Sequence, residues 1–295
     1  MTDERAGFAV EVTDLTVRRG GSRLVDGVSF ALRPGVVAGL LGRGGAGRST
    51  ILAILAAYGR PSAGTVRIDG ADPFEDPRLM SEICLVREQA DVERSLPVGE
   101  ALSIAGDLRP HWDAALADHL AARFGLDRRA KVRDLSRGGR TALSLVIGLA
   151  ARAPLTIFDE PHLGLDAPSR AAFHEELRAD HRRHPRTVVL CTDLIDEIAP
   201  LLEEVVILDR GRLLLHTTAD EARALGHEIT GPVDAVGALV GDARVLAQRQ
   251  LGSTRSTTVL GPIPRLAAAP REVEIGPVSL QDLVSHLTGG ETTRR

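Results

Sequence analysis

The chain has 295 residues, 43% of them hydrophobic and 26% charged, which is enough for a large core in one or two domains. A net charge of −4 and a pI near 6.2 leave no basic surplus to neutralise phosphodiesters, which excludes a general nucleic-acid binder. Cys84 and Cys191 are the two cysteines, each in an apolar run without metal-type spacing, so buried reduced thiols are expected. No stretch approaches the ~20 apolar residues of a membrane span. The acidic start Met1-Thr2-Asp3-Glu4 does not read as a secretion signal, so any action at a membrane needs another chain to supply the channel.

Apolar residues alternate at Phe8, Val10, Val12, Leu15 and Val17, and again at Val28, Phe30 and Leu32, which predicts an antiparallel opening with one buried face. Residues 36–41 are a continuous apolar run, too short for a globular helix and suited to a buried strand. Gly42-Arg43-Gly44-Gly45-Ala46-Gly47-Arg48-Ser49-Thr50 follows and opens onto a helix-like stretch, 50–57. Strand, glycine loop and helix stand in the order that phosphate binding requires. The glycines let backbone N–H groups turn inward, and the helix N-terminus adds partial positive charge. Ser49 supplies a hydroxyl for Mg²⁺, and Arg48 stands where such loops carry lysine. Taken alone, the loop leaves a plain tight turn open.

Tyr58-Gly59-Arg60-Pro61 stops the turn series, and 64–70 form a short strand bounded by glycine. From about 97 to 151 the spacing is helical, clearest over 112–124 and 141–149, which reads as a helical insert. Strands at 155–158, 187–192 and 205–208 then alternate with helices at 170–177 and 195–202, implying a mostly parallel sheet flanked by helices. Arg182-Arg183-His184-Pro185-Arg186 reads as a solvated helix end. The strand 155–158 delivers Asp159 and Glu160 to its carboxyl edge, where open α/β sheets bind ligands. Asp159 is placed to share Mg²⁺ with Ser49, and Glu160 to deprotonate an attacking water. Without the glycine loop the same pair would be read as a helix N-terminus.

A hairpin is expected at Asp209-Arg210-Gly211 and a helix over 219–225, ending the core at Gly226. Beyond it, strand-like runs at 243–246 and 257–260 among glycines and prolines predict a small C-terminal α/β appendage over 227–290, with 291–295 loose. Ser279-Leu280-Gln281-Asp282 has the form of a capping box before a final helix. Trp112 is assigned to a core, and His174, His181 and His184 to solvated helix positions.

Leu135-Ser136-Arg137-Gly138-Gly139, followed by a helix and then the Asp159-Glu160 strand, resembles the signature of ABC-type ATPases, the nucleotide-binding subunits of ABC transporters. The ordered set extends over about residues 8–220, with Asp166 fitting the D-loop and 83–89 the Q-loop segment that faces a membrane partner. The resemblance implies a P-loop ABC-ATPase core over 1–226: an antiparallel β subdomain, a mostly parallel sheet flanked by helices, and an insert at about 90–151. It further implies ATP and Mg²⁺ as cofactors and a head-to-tail dimer, homomeric or with a second ABC ATPase subunit. In that dimer the loop of one subunit and Ser136 and Gly138 of the other sandwich ATP. A separate membrane permease is the implied partner, with this chain cytoplasmic and peripheral on the inner membrane face. The tail wording from Ser279 to Leu283 is similar to bacterial drug- and peptide-exporter ATPases.

Several letters depart from the family pattern. Arg48 keeps the charge of the lysine but is bulkier and planar. Asp193 stands where the family has a switch histidine; ionised, it cannot donate to a γ-phosphate. ATP binding then requires Asp193 to be protonated, turned away or paired, for instance with Arg48. Glu88 falls on the Q-loop glutamine and is expected to ligate Mg²⁺, although a one-residue slip puts Gln89 there. Arg19 takes the place of the aromatic that stacks on adenine, and Arg137 replaces a signature glycine. These changes predict weak hydrolysis. The alternatives are an ATP-binding conformational module without hydrolysis, beside a catalytically complete partner, and a scaffold that has lost nucleotide.

Overall fold

The computed structural model describes residues 7–88, 92–241, 243–261, 263 and 269–289. Three sheets form among them. The first is antiparallel, ordered β2-β1-β4, from β1 (Val10–Arg19), β2 (Ser22–Leu32) and β4 (Ala63–Ile68). Alternation along β1 and β2 buries Val10, Val12, Leu15, Val28 and Phe30 on one face, as period-two patterning dictates.

The central sheet has order β5-β6-β7-β3-β8-β9. It uses β3 (Val37–Gly42), β5 (Ile83–Val86), β6 (Leu155–Asp159), β7 (Thr187–Cys191), β8 (Glu204–Asp209) and β9 (Arg212–Thr218). All neighbours are parallel except β9, which returns from β8 through the predicted hairpin. All six residues of β3 and all five of β7 are buried, as expected of strands covered on both faces. One face packs on α1 (Arg48–Leu55) and the antiparallel sheet. The other packs on the insert, α3 (Val98–Asp107), α4 (Ala114–Arg123) and α5 (Arg137–Ala150), and on α6 (Ala167–Arg183). α2 (Pro77–Ser81) leads into β5. In α5 every residue from 141 to 150 is buried, so this helix is the spine of the insert.

The stretch expected as one helix over 195–202 is α7 (Ile195–Ile198) continued by a 3₁₀ turn, because Pro200 lacks the N–H that a longer helix needs. Arg186 is not solvated. It is 3% exposed and donates to Asp180 at 2.7 Å, and Asp180 also accepts from Arg152 at 2.9 Å. His174 is half-buried beside Phe173, and His181 donates to the Arg186 carbonyl at 2.9 Å. Trp112 packs on the insert core.

After α8 (Ala219–Ala224) the third sheet, β11-β12-β10-β13, is antiparallel. It joins β10 (Gly226–Pro232), β11 (Arg244–Leu251), β12 (Thr254–Leu260) and β13 (Glu274–Pro277), and α9 (Val233–Val240) covers it. Its own apolar cluster centres on Ile229, Val236 and Val259. The final helix α10 (Leu280–Thr288) has the N-cap half of the expected capping box, Ser279 accepting from the Asp282 N–H at 3.0 Å, while the Asp282 carboxylate accepts from the Ser279 hydroxyl at 3.2 Å. It does not stay with the appendage. Leu280, Leu283 and Val284 are buried in the main core against α7, α8 and β3, and Gln281 accepts from the Ile195 N–H at 3.0 Å. An amphipathic helix buries its stripe against the largest available apolar surface. Residues 291–295, read as loose, lie outside the described residues.

Candidate functional site

The glycine loop leaves the end of β3 at Gly42, φ 147°, where an added Cβ would meet the Leu208 carbonyl oxygen at 2.3 Å. Gly47, φ 94°, would meet the Leu24 carbonyl oxygen at 2.7 Å, so neither position accepts a side chain. A Cβ at Gly44 or Gly45 would meet nothing within 4 Å, so the loop borders open space at these two positions. The loop is braced by the Ala46 N–H on the Arg43 carbonyl, 3.0 Å, and by the Gly211 N–H on the Ala46 carbonyl, 3.1 Å. α1 begins at Arg48 with no side-chain cap and no acidic residue in its first turn, leaving its N-terminal N–H groups to an anion. Thr50 continues that first turn.

Parallel pairing of β6 with β7, and of β7 with β3, puts the ends of those strands beside the loop. Ser49 Oγ donates to Asp159 Oδ1 at 3.2 Å. Glu160 has a left-handed φ of 52° and its N–H donates to the Cys191 carbonyl at 2.8 Å. Such a conformation in a non-glycine residue is costly and is held here by the strand ends around it.

Arg48 extends under these carboxylates with its side chain 7% exposed. Its Nη2 lies 2.6 Å from Asp193 Oδ1 and 3.3 Å from Glu160 Oε1, and its Nη1 donates to the Thr192 carbonyl at 3.3 Å. Of the three states open to Asp193, the structure has the paired one. Burial, then the Asp193 charge, push the Glu160 carboxyl up to about 7, against the pull of Arg48. His162 is bonded through Nδ1 to Thr192 Oγ1 at 2.8 Å, and burial holds its pKa below the ordinary value.

Ligand atoms of Asp159, Glu160 and Cys191 lie within 4.8 Å of one another. Burial pushes the Cys191 thiol well above its ordinary range, so it stays protonated and is no ligand for a hard cation. Ser49 and Asp159 are the oxygen pair that fits Mg²⁺.

Glu88 is not free to join them. It accepts from Arg137 Nε at 2.5 Å, and that contact holds its carboxyl below the ordinary value. The two departures in the Q-loop and the signature are therefore partners, a pairing legible only as opposite charges 49 residues apart. Gln89, the alternative position, lies outside the described residues. Ser136 caps α5, accepting from the Gly139 N–H at 3.0 Å. A Cβ on Gly138 would meet the Gly164 carbonyl oxygen at 2.4 Å, so the signature needs a glycine there. Thr141, which no sequence pattern singled out, donates to the Leu163 carbonyl at 2.6 Å and ties signature to D-loop. Asp166 caps α6 by accepting from the Ser169 N–H at 2.9 Å. Arg19 ends β1 in the exposed hairpin opposite Ser22. The signature and glycine loops stand on separate elements, and no hydrogen bond joins them among the described residues.

A glycine loop between strand and helix, facing adjacent acidic residues at a parallel sheet edge, defines a P-loop nucleotide-binding protein. The family model described as ABC transporter matches residues 25–163. The daunorubicin resistance ATP-binding protein DrrA3 of Streptomyces coeruleorubidus is 31% identical over 226 residues, covering 74% of this chain and 71% of that protein. The daunorubicin/doxorubicin resistance ATP-binding protein DrrA of Streptomyces peucetius is 32% identical over 73% of this chain and 67% of that protein. The Nod factor export ATP-binding protein I of Ralstonia nicotianae is 29% identical over 96% of this chain and 94% of its own. A solved ATP-binding subunit of an ABC transporter superposes with a TM-score of 0.66 at 23% identity, over 73% of this chain and 92% of that one, which supports the fold. The chain belongs to the ATP-binding subunits of ABC transporters. Its activity is the family's, ATP hydrolysis coupled to transport. No described helix is long and apolar enough to cross a membrane.

Proposed function

We propose that this chain binds Mg·ATP in the curl of residues 42–50 and hydrolyses it slowly, in a head-to-tail dimer with a second ABC ATPase subunit, to drive export by a membrane permease. The observation that carries this reading is the convergence of Ser49 on Asp159 and of Arg48 on Glu160 at one sheet edge. Ser49 and Asp159 would hold Mg²⁺, which would supply charge neutralisation at the phosphates. The loop N–H groups and the α1 N-terminus orient the phosphate chain. Glu160 takes the proton of the attacking water at its carboxylate; a pKa of about 7 suits a base at neutral pH. Ser136 and the N-terminus of α5 serve the nucleotide of the opposite subunit, and Arg19 lies against adenine.

Asp193 offers an acceptor where the family has a donor, and losing one such donor commonly costs ~10²–10³ in turnover. That is the basis for slow hydrolysis and for a more complete partner. A groove of about 230 Å³ beside β5, lined by Tyr58, Arg87, Ile104 and Leu108, supports permease docking on the insert side. Leu108 and Tyr58 are 69% and 57% exposed there, apolar surface that a partner would cover. The names of the drug-resistance and Nod factor export relatives favour export, with the chain held at the inner face of the cell membrane. Engineering Arg48→Lys together with Asp193→His is expected to raise phosphate release from Mg·ATP. Unchanged binding and rate would show that these positions do not lie at the reacting phosphates.

A further inference from the structure

Resting on the ATP-site reading above, we infer that Asp193 is a built-in counter-anion that competes with the nucleotide phosphates for Arg48, so that it sets nucleotide affinity and tethers Glu160 until a phosphate takes the guanidinium away.

Arg48 is the first residue of α1, directly behind the glycine curl, yet its guanidinium points across the site to the ends of β6 and β7. Its Nη2 is shared by two carboxylates, Asp193 at 2.6 Å and Glu160 at 3.3 Å, while Nη1 holds the Thr192 carbonyl at 3.3 Å. The side chain is 7% exposed, and a buried cation must keep an anion beside it. Arg48 therefore exchanges partners and is never left alone. In the exchange the guanidinium leaves Asp193 for a phosphate held in the curl, on the N-terminal side of α1 where Arg48 begins the helix. Asp193 is 62% exposed, so it can turn to water once released at little cost. Glu160 is 21% exposed and stays in place, now without its cation.

The two departures from the family pattern explain each other. A guanidinium has the reach and the forked donors to hold two carboxylates and a carbonyl together, which a lysine ammonium does not match. An aspartate at 193 gives that fork a resting partner. The pair makes the idle site self-neutralised, and binding of the phosphates is the event that frees the base.

The test compares the wild-type chain with Asp193→Ala and with Asp193→Asn, which keeps the side-chain volume. Two quantities are read: affinity for a non-hydrolysable ATP analogue with Mg²⁺, by calorimetry, and the melting temperature without nucleotide. Asp193→Ala is expected to bind the analogue about tenfold more tightly, the worth of one hydrogen bond to a charged group. It is also expected to melt ~2 °C lower without nucleotide because the resting ion pair is gone. Asp193→Asn moves both quantities the same way by less. Unchanged or weaker binding overturns the inference. Tighter binding with an unchanged or raised melting temperature also overturns it, since it means plain repulsion without an exchanged partner. If wild type and variants all ignore the analogue, it is the ATP-site reading that fails.

Discussion

The ATPase body and the C-terminal sheet are built from the same residue types under opposite constraints. In the body, β3, β6 and β7 are covered on both faces, so they read as apolar runs interrupted only by the buried Thr156 and Thr187, and the charged residues Asp159 and Glu160 stand at the strand end where the glycine loop also emerges. In the C-terminal sheet the described apolar cluster is small, and β11 is exposed along most of its length. The contrast teaches that burial on both faces concentrates chemistry at an edge. A thinly covered antiparallel sheet spreads its polar residues along the strands and, among the described residues, gathers no comparable cluster of charged groups.

α10 crosses that division, and it offers the largest test of the comparison. Leu283 is fully buried in the body core although it follows the C-terminal sheet in sequence. Leu283→Ala is expected to cost about 2–5 kcal/mol, seen as a lower melting temperature of the body transition. If only the C-terminal sheet melted earlier, α10 would belong with that sheet.

The next effect concerns the charged edge of the body. With Glu160 protonated below about 7, kcat/KM for ATP should fall about tenfold per pH unit on the acid side. The sign for stability follows from linkage. The folded chain binds this proton more tightly than the unfolded chain, so Glu160 contributes falling stability as pH rises from 4.5 to about 7. A flat kcat/KM profile from pH 6 to 8 would remove Glu160 as the base.

Ser279→Ala removes the cap of α10 and should destabilise by about 1 kcal/mol, measurable by denaturant unfolding. Smallest of all is Glu88→Gln. The Arg137 partner is 57% exposed, so solvent screens the pair and denaturant unfolding should show little or no loss of stability. A larger loss would mean that the bridge between Q-loop and signature fixes the insert on the body.

Much of this was legible in the sequence because it is local. The glycine loop, the strand ending in Asp159 and Glu160, and the Ser279 cap each depend on residues within a few positions of one another. The C-terminal sheet was legible only in fragments. β10 and β13 carry Gly231, Pro232, Gly276 and Pro277, which read as breakers, and pairing of β10 with β12 on one side and β13 on the other overrides that propensity. The docking of α10 on α7 and the Glu88–Arg137 pair join residues far apart in the chain, and no periodicity records such contacts; Arg186 finds Asp180 six residues away, but its burial follows from the packing of α6 on the sheet. The site was readable in its parts. An Arg48–Asp193 pair stood among the three states the sequence left open, and selecting it, with Glu160 beside it, required the parallel register of β3, β6 and β7.

The central claim is that Glu160 acts on a water beside a nucleotide held in the glycine curl. Its most direct test is phosphate release by the purified chain with Mg·ATP, measured together with nucleotide binding, for wild type and Glu160→Gln. Saturable binding is expected in both, with slow release in wild type that Glu160→Gln reduces to background. Release that survives the substitution, or no saturable binding at millimolar Mg·ATP, would contradict it.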